Sequence, residues 1–550
     1  MSPSKTRFAS ALARSVLCVL GLGVAIQAPV HAQTPDSAHR LYSPSSGTTS
    51  FLVDDQENIV HTWASSNNVG NTLYLEPGGT LIRTIRTGVF GPGGGTGGGV
   101  ERLALDGTVL WTYEYDTGGN IHHHDCEPMP NGNVMLVAWE SKTQADAIAN
   151  GRNPALTPGA TFFPDHIIEV EPTGPTTGTI VWEWHVWDHL IQDFDATKAN
   201  FGDPAANPQL LDINYPATTS ADWNHVNSID YDPVYDRIVI SANFQNEFWI
   251  IDHSTTTAEA AGHAGGNSGM GGDFLYRWGN PEAYRAGTVA DKDLFRQHGV
   301  KFIPQGYPGA GNILLYNNQI APSSRVEEIE LPLDVNGDFV FGAGPAWGPA
   351  APVWTYQDPG MNSAIMSSAV RMANGNTLIA STLQGRVFEV TPGGTNVWEI
   401  NPSAGTGGAF HASIVERTFW ASKRELSAFT PGDSIDFSIK AGTRFAGDTY
   451  VVLGSVSGSA PGIDLGGGLN LPVNFDWYTQ LTFQMAGTAV FSDFIGVLNG
   501  DGNGTASLVV PAGLPGSVIG MELHHAFLVT DGGFTVFKDA SNAEKMTFTL

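Results

Sequence analysis

Three histidines stand at one register of three similar segments. His124 lies seven residues before Asn131, His225 seven before Asp232 and His298 seven before Gln305. A fourth segment carries Ser367 at the same offset from Asn374. Imidazole is the side chain that gains and loses a proton near neutral pH. Three of them brought to one point would form a centre for proton transfer or ligand binding. The alternative is a structural one, with each histidine bonded to its neighbouring segment. Sequence distances of 101 and 73 residues separate the three, so only a repeating architecture could bring them together.

Such an architecture is visible. Short apolar runs ending in tryptophan recur six times, at Trp63, Trp111, Trp182, Trp278, Trp354 and Trp398. The closest pairs are 48 and 44 residues apart, the length of one four-stranded propeller blade, and the wider gaps leave room for insertions. An alternating strand precedes each tryptophan run, as in Arg386-Val387-Phe388-Glu389-Val390, with a turn such as Thr391-Pro392-Gly393-Gly394 between. Upstream of these, Asn131-Gly132 and Asn374-Gly375 mark a further tight turn. The pattern predicts an all-β fold, with a six-bladed β-propeller over residues 33–420. The first strand of each blade would line the central channel, and equal register would put the histidines at one height. After about residue 420 the tryptophan pattern stops. Short alternating strands from Glu425 to Leu550 then predict a separate β-sandwich over 425–550, an accessory or attachment module.

Composition agrees. The chain has 550 residues, with 66 Gly and 33 Pro but only 15% charged residues, a profile of short strands and many turns. Residues 1–32 read as a secretory signal: Lys5, Arg7 and Arg14, an apolar stretch from Ser15 to Val30, then Val30-His31-Ala32 as a cleavage site. Export to the periplasm or the extracellular space is therefore expected, with no membrane span. Without this segment the formal charge moves from −28 to −31. Such a surface repels nucleic acid, so no nucleic-acid partner is expected. Of the two cysteines only Cys126 lies beyond the signal, which rules out an intrachain disulfide in the exported chain.

The segment Asp222-Trp223-Asn224-His225-Val226-Asn227-Ser228-Ile229-Asp230-Tyr231-Asp232 resembles the blade motif of bacterial arylsulfate sulfotransferases. So do Arg296-Gln297-His298, His123-His124-Asp125-Cys126-Glu127-Pro128 with Asn131-Gly132-Asn133, and Ser324-Arg325-Val326. The resemblance covers most of residues 50–405. It implies an exported six-bladed propeller that moves a sulfuryl group from an aryl sulfate to a phenol through a sulfohistidine, without a nucleotide donor or other cofactor. It implies that His225 and His298 are channel histidines and that Arg325 binds sulfate. Asn227 and His123, in the same segments, are expected to contact substrate. One departure stands out. The nucleophilic histidine of the family comes from a later blade, expected here between Met361 and Val370, where there is none; Ser367 and Ser368 stand there instead. His124 is then a candidate third catalytic histidine. A sulfuryl group spreads its charge over oxygens that need cationic or N–H donors, so convergent imidazoles and a guanidinium suit it.

Other patterns are weaker. His122 and His124 could share a strand face as metal ligands, but no partner motif has metal spacing, and no metal is expected. Gly93 to Gly99 reads as a loop, not a phosphate cradle. Asp334 to Asp338 and Asn499 to Gly504 read as turns as readily as calcium loops. His185, Trp187 and His189 lie in an aromatic insertion, and His411 near the close of the ring. The competing functions are a non-catalytic propeller that binds a ligand or surface glycan, and an aryl-sulfate hydrolase with water as acceptor.

Overall fold

The computed structural model describes residues 38–550 apart from short internal stretches, the longest being 402–408. The expected signal segment 1–32 lies outside the described residues. The chain is nearly all β. The only α-helices among the described residues are Gln144–Ala149, Thr257–Ala260 and Trp477–Gln484, the last being the longest at eight residues.

Residues up to Val415 build six four-stranded antiparallel sheets. Their inner strands are β1 (Val69–Leu75), β2 (Asn120–Pro128), β3 (Val226–Asp232), β4 (His298–Phe302), β5 (Ser368–Arg371) and β6 (Ala409–Val415). Each packs on the next, and β6 packs back on β1, so the contacts run in a circle and the arrangement is propeller-like. The sheet of β6 is completed by the first of the described strands: β6 pairs with His39–Pro44, with Leu41 opposite Ser413. A buried ion pair reinforces this closure. The Arg40 guanidinium bonds Glu389 in the neighbouring sheet and lies 4.6 Å over the Trp398 ring.

The six tryptophans fall one per sheet, each on the outermost strand. Four of the six fix their indole N–H groups in the same way. Trp111 donates to the Thr177 carbonyl (3.1 Å), Trp182 to Thr255 Oγ1 (3.1 Å), Trp278 to the Pro349 carbonyl (2.8 Å) and Trp354 to the Pro392 carbonyl (2.8 Å). The ring buries apolar area while the polar edge latches onto a turn elsewhere. The core lies between the sheets: Val137, Ile167 and Trp184 of one pack with Ile229, Ile240 and Trp249 of the next. The Asn-Gly turns behave as their chemistry requires, with Gly132 and Gly375 both at φ +89°.

From Thr418 onward three further sheets follow, and the two larger ones share a separate aromatic core of Phe419, Phe437, Phe494 and Phe527. The first of their strands, Thr418–Ala421, begins slightly ahead of the expected boundary at 425. His525 belongs to this core. It is fully buried, with Nε2 3.1 Å from the Tyr478 hydroxyl of the capped helix Trp477–Gln484.

Candidate active site

The inner strands do not run smoothly. Register shifts interrupt β2 between His122 and Cys126, β3 between Val226 and Ile229, and β4 between His298 and Lys301. Left-handed backbone clusters at these points: His124 at φ 56°, His225 at 52°, Arg296 at 59°, Met366 at 61° and Ser367 at 82°. Each such non-glycine residue costs about 1–2 kcal/mol. Bulges of this kind re-aim side chains, and strain so concentrated is a mark of a functional site.

The re-aimed side chains meet in one cavity of about 430 Å³. His124, His225, His298 and Arg296 line it, with Asn243, Phe244, Gln319, the loop residues Gly94 and Gly95, and the turn Ala364–Met366. No carboxylate is among these residues, although the chain as a whole is strongly acidic. The rings of His124 and His225 meet edge to face at 4.7 Å. His225 stacks on Phe244 at 4.5 Å, and the Arg296 guanidinium lies 4.1 Å over the same phenyl ring while Nη1 reaches Asn243 Oδ1 at 3.3 Å. Phe244 thus sets the imidazole and the guanidinium relative to each other.

Carboxylates stand behind the imidazoles. Asp222 Oδ2 is 2.5 Å from His225 Nδ1, and its other oxygen accepts the Trp139 indole N–H at 2.9 Å. A second chain runs from Asp165 Oδ1 to His123 Nε2 (2.7 Å) and from His123 Nδ1 to His124 Nδ1 (2.7 Å). Trp139 stacks on His123 at 3.7 Å and holds that chain in place. Burial, then the neighbouring imidazoles, holds both His123 and His124 well below the ordinary histidine pKa. Burial pushes Asp165 well up, assisted by Asp222 and opposed by the Val226 amide. His298 is lowered to about 3, chiefly by burial. Its Nδ1 faces Asn318 Oδ1 (2.8 Å) and the Arg296 carbonyl (3.1 Å), and its Nε2 accepts the Met366 N–H (3.2 Å). His298 therefore ties both flanks of the cavity together.

The glycine-rich segment lies across these residues. A Cβ added to Gly91 would meet the Trp139 ring at 2.1 Å, one at Gly93 Asp222 Oδ2 at 2.1 Å, one at Gly95 His124 Cε1 at 1.9 Å and one at Gly97 His122 Nδ1 at 2.8 Å. The loop is a loop, as its sequence implies, and alternate glycines let its backbone lie on the site.

Of the residues expected from sequence, His124, His225 and His298 come together. His123 stands behind His124, not in the cavity lining. Asn227 is fully buried, its amide spent on the Gln297 carbonyl at 2.8 Å. Arg325 is not among the lining residues. It opens the third strand of its sheet, Arg325–Ile329, and its Nε donates to Glu327 at 2.7 Å. Two strand spacings, about 10 Å, separate that strand from β4. The guanidinium in the cavity is Arg296, which directly precedes Gln297-His298 in the sequence. Ser367 is buried, and its Oγ accepts the Thr382 N–H at 3.0 Å. His122 does not join His124 as a ligand pair; its Nδ1 accepts the Gly98 N–H at 3.3 Å. His411 lies in a second cavity of about 360 Å³ with Tyr74, Asp230 and Lys301, further along the same inner strands. Asp334 accepts the Asn336 and Asp338 amides, as in a turn. Sequence reasoning did not single out Asp222, Asp165, Phe244 or Trp139. Asp222 alone left a local signal, three residues before His225.

Among the described residues no helix is long and apolar enough to cross a membrane. No curated protein matches the chain. The solved structures it resembles include a protein of unknown function from Bacteroides caccae (10% identity, 69% of this chain and 99% of that one, TM-score 0.38). Others are a putative 6-phosphogluconolactonase from Bacteroides fragilis (12%, 70% and 100%, TM-score 0.35) and the Dos1 propeller (9%, 74% and 82%, TM-score 0.29). The model of the arylsulfotransferase (ASST) family matches residues 94–407, a span that holds every residue lining the histidine cavity. The chain belongs to the arylsulfotransferase family.

Proposed function

We propose that this protein is an exported sulfotransferase that moves a sulfuryl group from an aryl sulfate to a phenol through a histidine intermediate, with no nucleotide. The observation that carries the reading is the convergence of His124, His225 and Arg296 on one cavity without a lining carboxylate. The six sheets are read as six blades of a propeller over 33–420, the two larger C-terminal sheets as an accessory β-sandwich, and residues 1–32 as the export signal.

The donor's sulfuryl oxygens face the Arg296 guanidinium, whose planar donors suit such an oxyanion, and its aryl ring rests on Ile365 and Met366. The reading uses the ionised form of Asp165, which burial disfavours: His123 then carries its proton on Nε2, His123 Nδ1 accepts, and His124 holds its proton on Nδ1, which makes Nε2 the attacking atom of an imidazole that burial keeps neutral. Its lone pair forms the N–S bond as the S–O(aryl) bond breaks. The leaving phenolate takes a proton from His225, whose imidazolium is stabilised by Asp222. An acceptor phenol returns a proton to His225 as its oxygen attacks sulfur, and the N–S electron pair goes back to His124. His298 acts as a positioning residue, through Met366 and the Arg296 backbone.

The test is a chromogenic aryl sulfate with and without added phenol, followed by mass spectrometry of quenched enzyme. Phenol-dependent release and an 80 Da adduct (the mass of SO₃) on the peptide bearing His124, lost in His124→Ala, are the expected results. An adduct elsewhere overturns the nucleophile assignment, and release without phenol means a hydrolase. A binding-only propeller is favoured by one observation, the engaged Ser367 where the family's nucleophile is expected. It predicts no release at all.

A further inference from the structure

A second cluster of ligating side chains lies outside the histidine cavity: His189 follows the strand Thr177–His185, and His263 and Asp273 lie in the insertion between the strands Glu247–Asp252 and Tyr276–Trp278. His189 Nδ1 is 2.8 Å and His263 Nδ1 is 2.7 Å from the same atom, Asp273 Oδ1. The ligand atoms of all three lie within 4.8 Å of one another. His189 is fully buried, Asp273 nearly so, and His263 is 61% exposed, which leaves one side open to water.

An observation outside the cluster points to a cation. His189 Nε2 is 2.8 Å from the Ala260 carbonyl oxygen. A carbonyl only accepts, so Nε2 must carry a hydrogen. With that N–H fixed on the carbonyl, Nδ1 is the ring atom turned to Asp273 Oδ1, on the side where His263 also reaches the same oxygen. The surroundings are those of a metal-bound imidazole, whose other N–H is commonly fixed by a backbone carbonyl. Trp184 stacks on His189 at 5.5 Å and donates its indole N–H to the Gly272 carbonyl at 2.7 Å, which fixes the residue before Asp273. Gly272 itself has no room for a side chain, since a Cβ there would lie 2.0 Å from the Ala260 oxygen.

We propose that His189, His263 and Asp273 bind a Zn²⁺-class divalent cation, with water as the fourth ligand on the His263 side. Two imidazoles and one carboxylate suit zinc in preference to calcium or magnesium, which take oxygen ligands. Tetrahedral zinc at its usual bond lengths sets ligands about 3.3 Å apart, so the cluster opens by roughly half an ångström on binding. The ion would tie the glycine-rich loop carrying His263 to the turn carrying His189. The site stands or falls independently of the sulfuryl chemistry.

The test uses full-length protein stripped with a strong chelator and dialysed. Zn²⁺ is titrated by calorimetry, and Co²⁺ is followed by its visible absorption. Because the catalytic imidazoles could also take up zinc, His225→Ala is the companion to His263→Ala, with the fold of each checked by circular dichroism. The expected result is one Zn²⁺ per chain in the wild type and in His225→Ala, tetrahedral Co²⁺ bands, and affinity weakened about a hundredfold or more by His263→Ala. No saturable uptake by the wild type overturns the proposal and leaves His189 as an imidazolium. Unchanged affinity in His263→Ala, or loss of binding in His225→Ala, overturns it as well.

Discussion

Replacing Gly95 by alanine tests whether the glycine loop and His124 form one unit. Gly95 sits at φ +82°, and a Cβ there would lie 1.9 Å from His124 Cε1 and 2.2 Å from both ring nitrogens. Carbon atoms in contact stay about 3.5–4.0 Å apart, so something must move by about 1.5 Å. The imidazole has little room to retreat: His123 holds its Nδ1 at 2.7 Å and His225 packs on its edge. Either the loop lifts and opens the cavity, or the Nδ1–Nδ1 contact breaks and the tautomer of His124 is no longer set. A misplacement of about 1 Å at a reacting group costs on the order of 10²-fold in rate. The backbone penalty for alanine at this φ is only about 1–2 kcal/mol, so the protein stays folded. Initial rates of aryl-sulfate turnover, with melting curves for both proteins, should show about a hundredfold loss and a small melting shift. Gly94→Ala is the control from the same loop, because a Cβ there meets nothing within 4 Å. If Gly95→Ala retained wild-type turnover, or if Gly94→Ala were equally damaged, the loop would not position His124 as argued.

Arg296→Ala should cut kcat/KM by about two to three orders of magnitude, whereas Arg325→Ala should leave it within about threefold, because its guanidinium is engaged with Glu327. Steady-state kinetics of the two variants decides which arginine holds the sulfuryl oxygens. Arg40→Ala takes the guanidinium from the buried Glu389, which keeps the Asn376 amide, and should cost about 3–5 kcal/mol in urea unfolding; an unchanged midpoint refutes it. Acid should destabilise the fold early. His166, His298 and His525 are depressed to about 3, and His122 and His411 to about 4, each chiefly by burial. The unfolded chain binds protons below pH 6.5 that the folded chain refuses, so stability is lost as pH falls toward 3–4. At pH 5 each such histidine costs about 2 kcal/mol, offset in part by Asp230, raised to about 6. Urea midpoints at pH 7.5 and pH 5 should differ accordingly, and equal midpoints would contradict the burial argument.

What could be read in the sequence was what local chemistry decides. Asn131-Gly132 and Asn374-Gly375 need a positive φ and so announced their turns, and the tryptophans marked the outer strands, where their rings are packed and four of the six tie the indole N–H to another segment. The histidine register was legible because bulges fall at matching places in β2, β3 and β4, which preserves the offset along the chain. The rest depends on distance in sequence. Asp165 reaches His123 across 42 residues, and Trp139 reaches Asp222 across 83. No spacing rule links such pairs. The resemblance pointed to Arg325 and named Arg296 only as the neighbour of Gln297-His298. Only the order of strands within the sheet separates them, since one opens a third strand and the other precedes an inner one. The glycines at 91, 93, 95 and 97 alternate, yet nothing local says that tryptophan, aspartate and two histidines lie beneath them.

The charge of the molecule sharpens the argument for a local site. At a formal −28 the surface repels an anionic aryl sulfate at long range, so the field does not steer such a donor inward. That repulsion is screened beyond about 8 Å at physiological salt, and a buried donor set is screened far less. Binding of a sulfate ester therefore has to be won inside the cavity. There the lining holds one guanidinium and three imidazoles, and the acids that tune them, Asp222 and Asp165, are placed one layer back. In that position they set tautomers without presenting negative charge to the sulfuryl oxygens. Moving either carboxylate forward by one layer would keep the same residues and lose the anion site, so the depth of the acids, more than the count of histidines, is what fits this cavity to the proposed sulfuryl transfer.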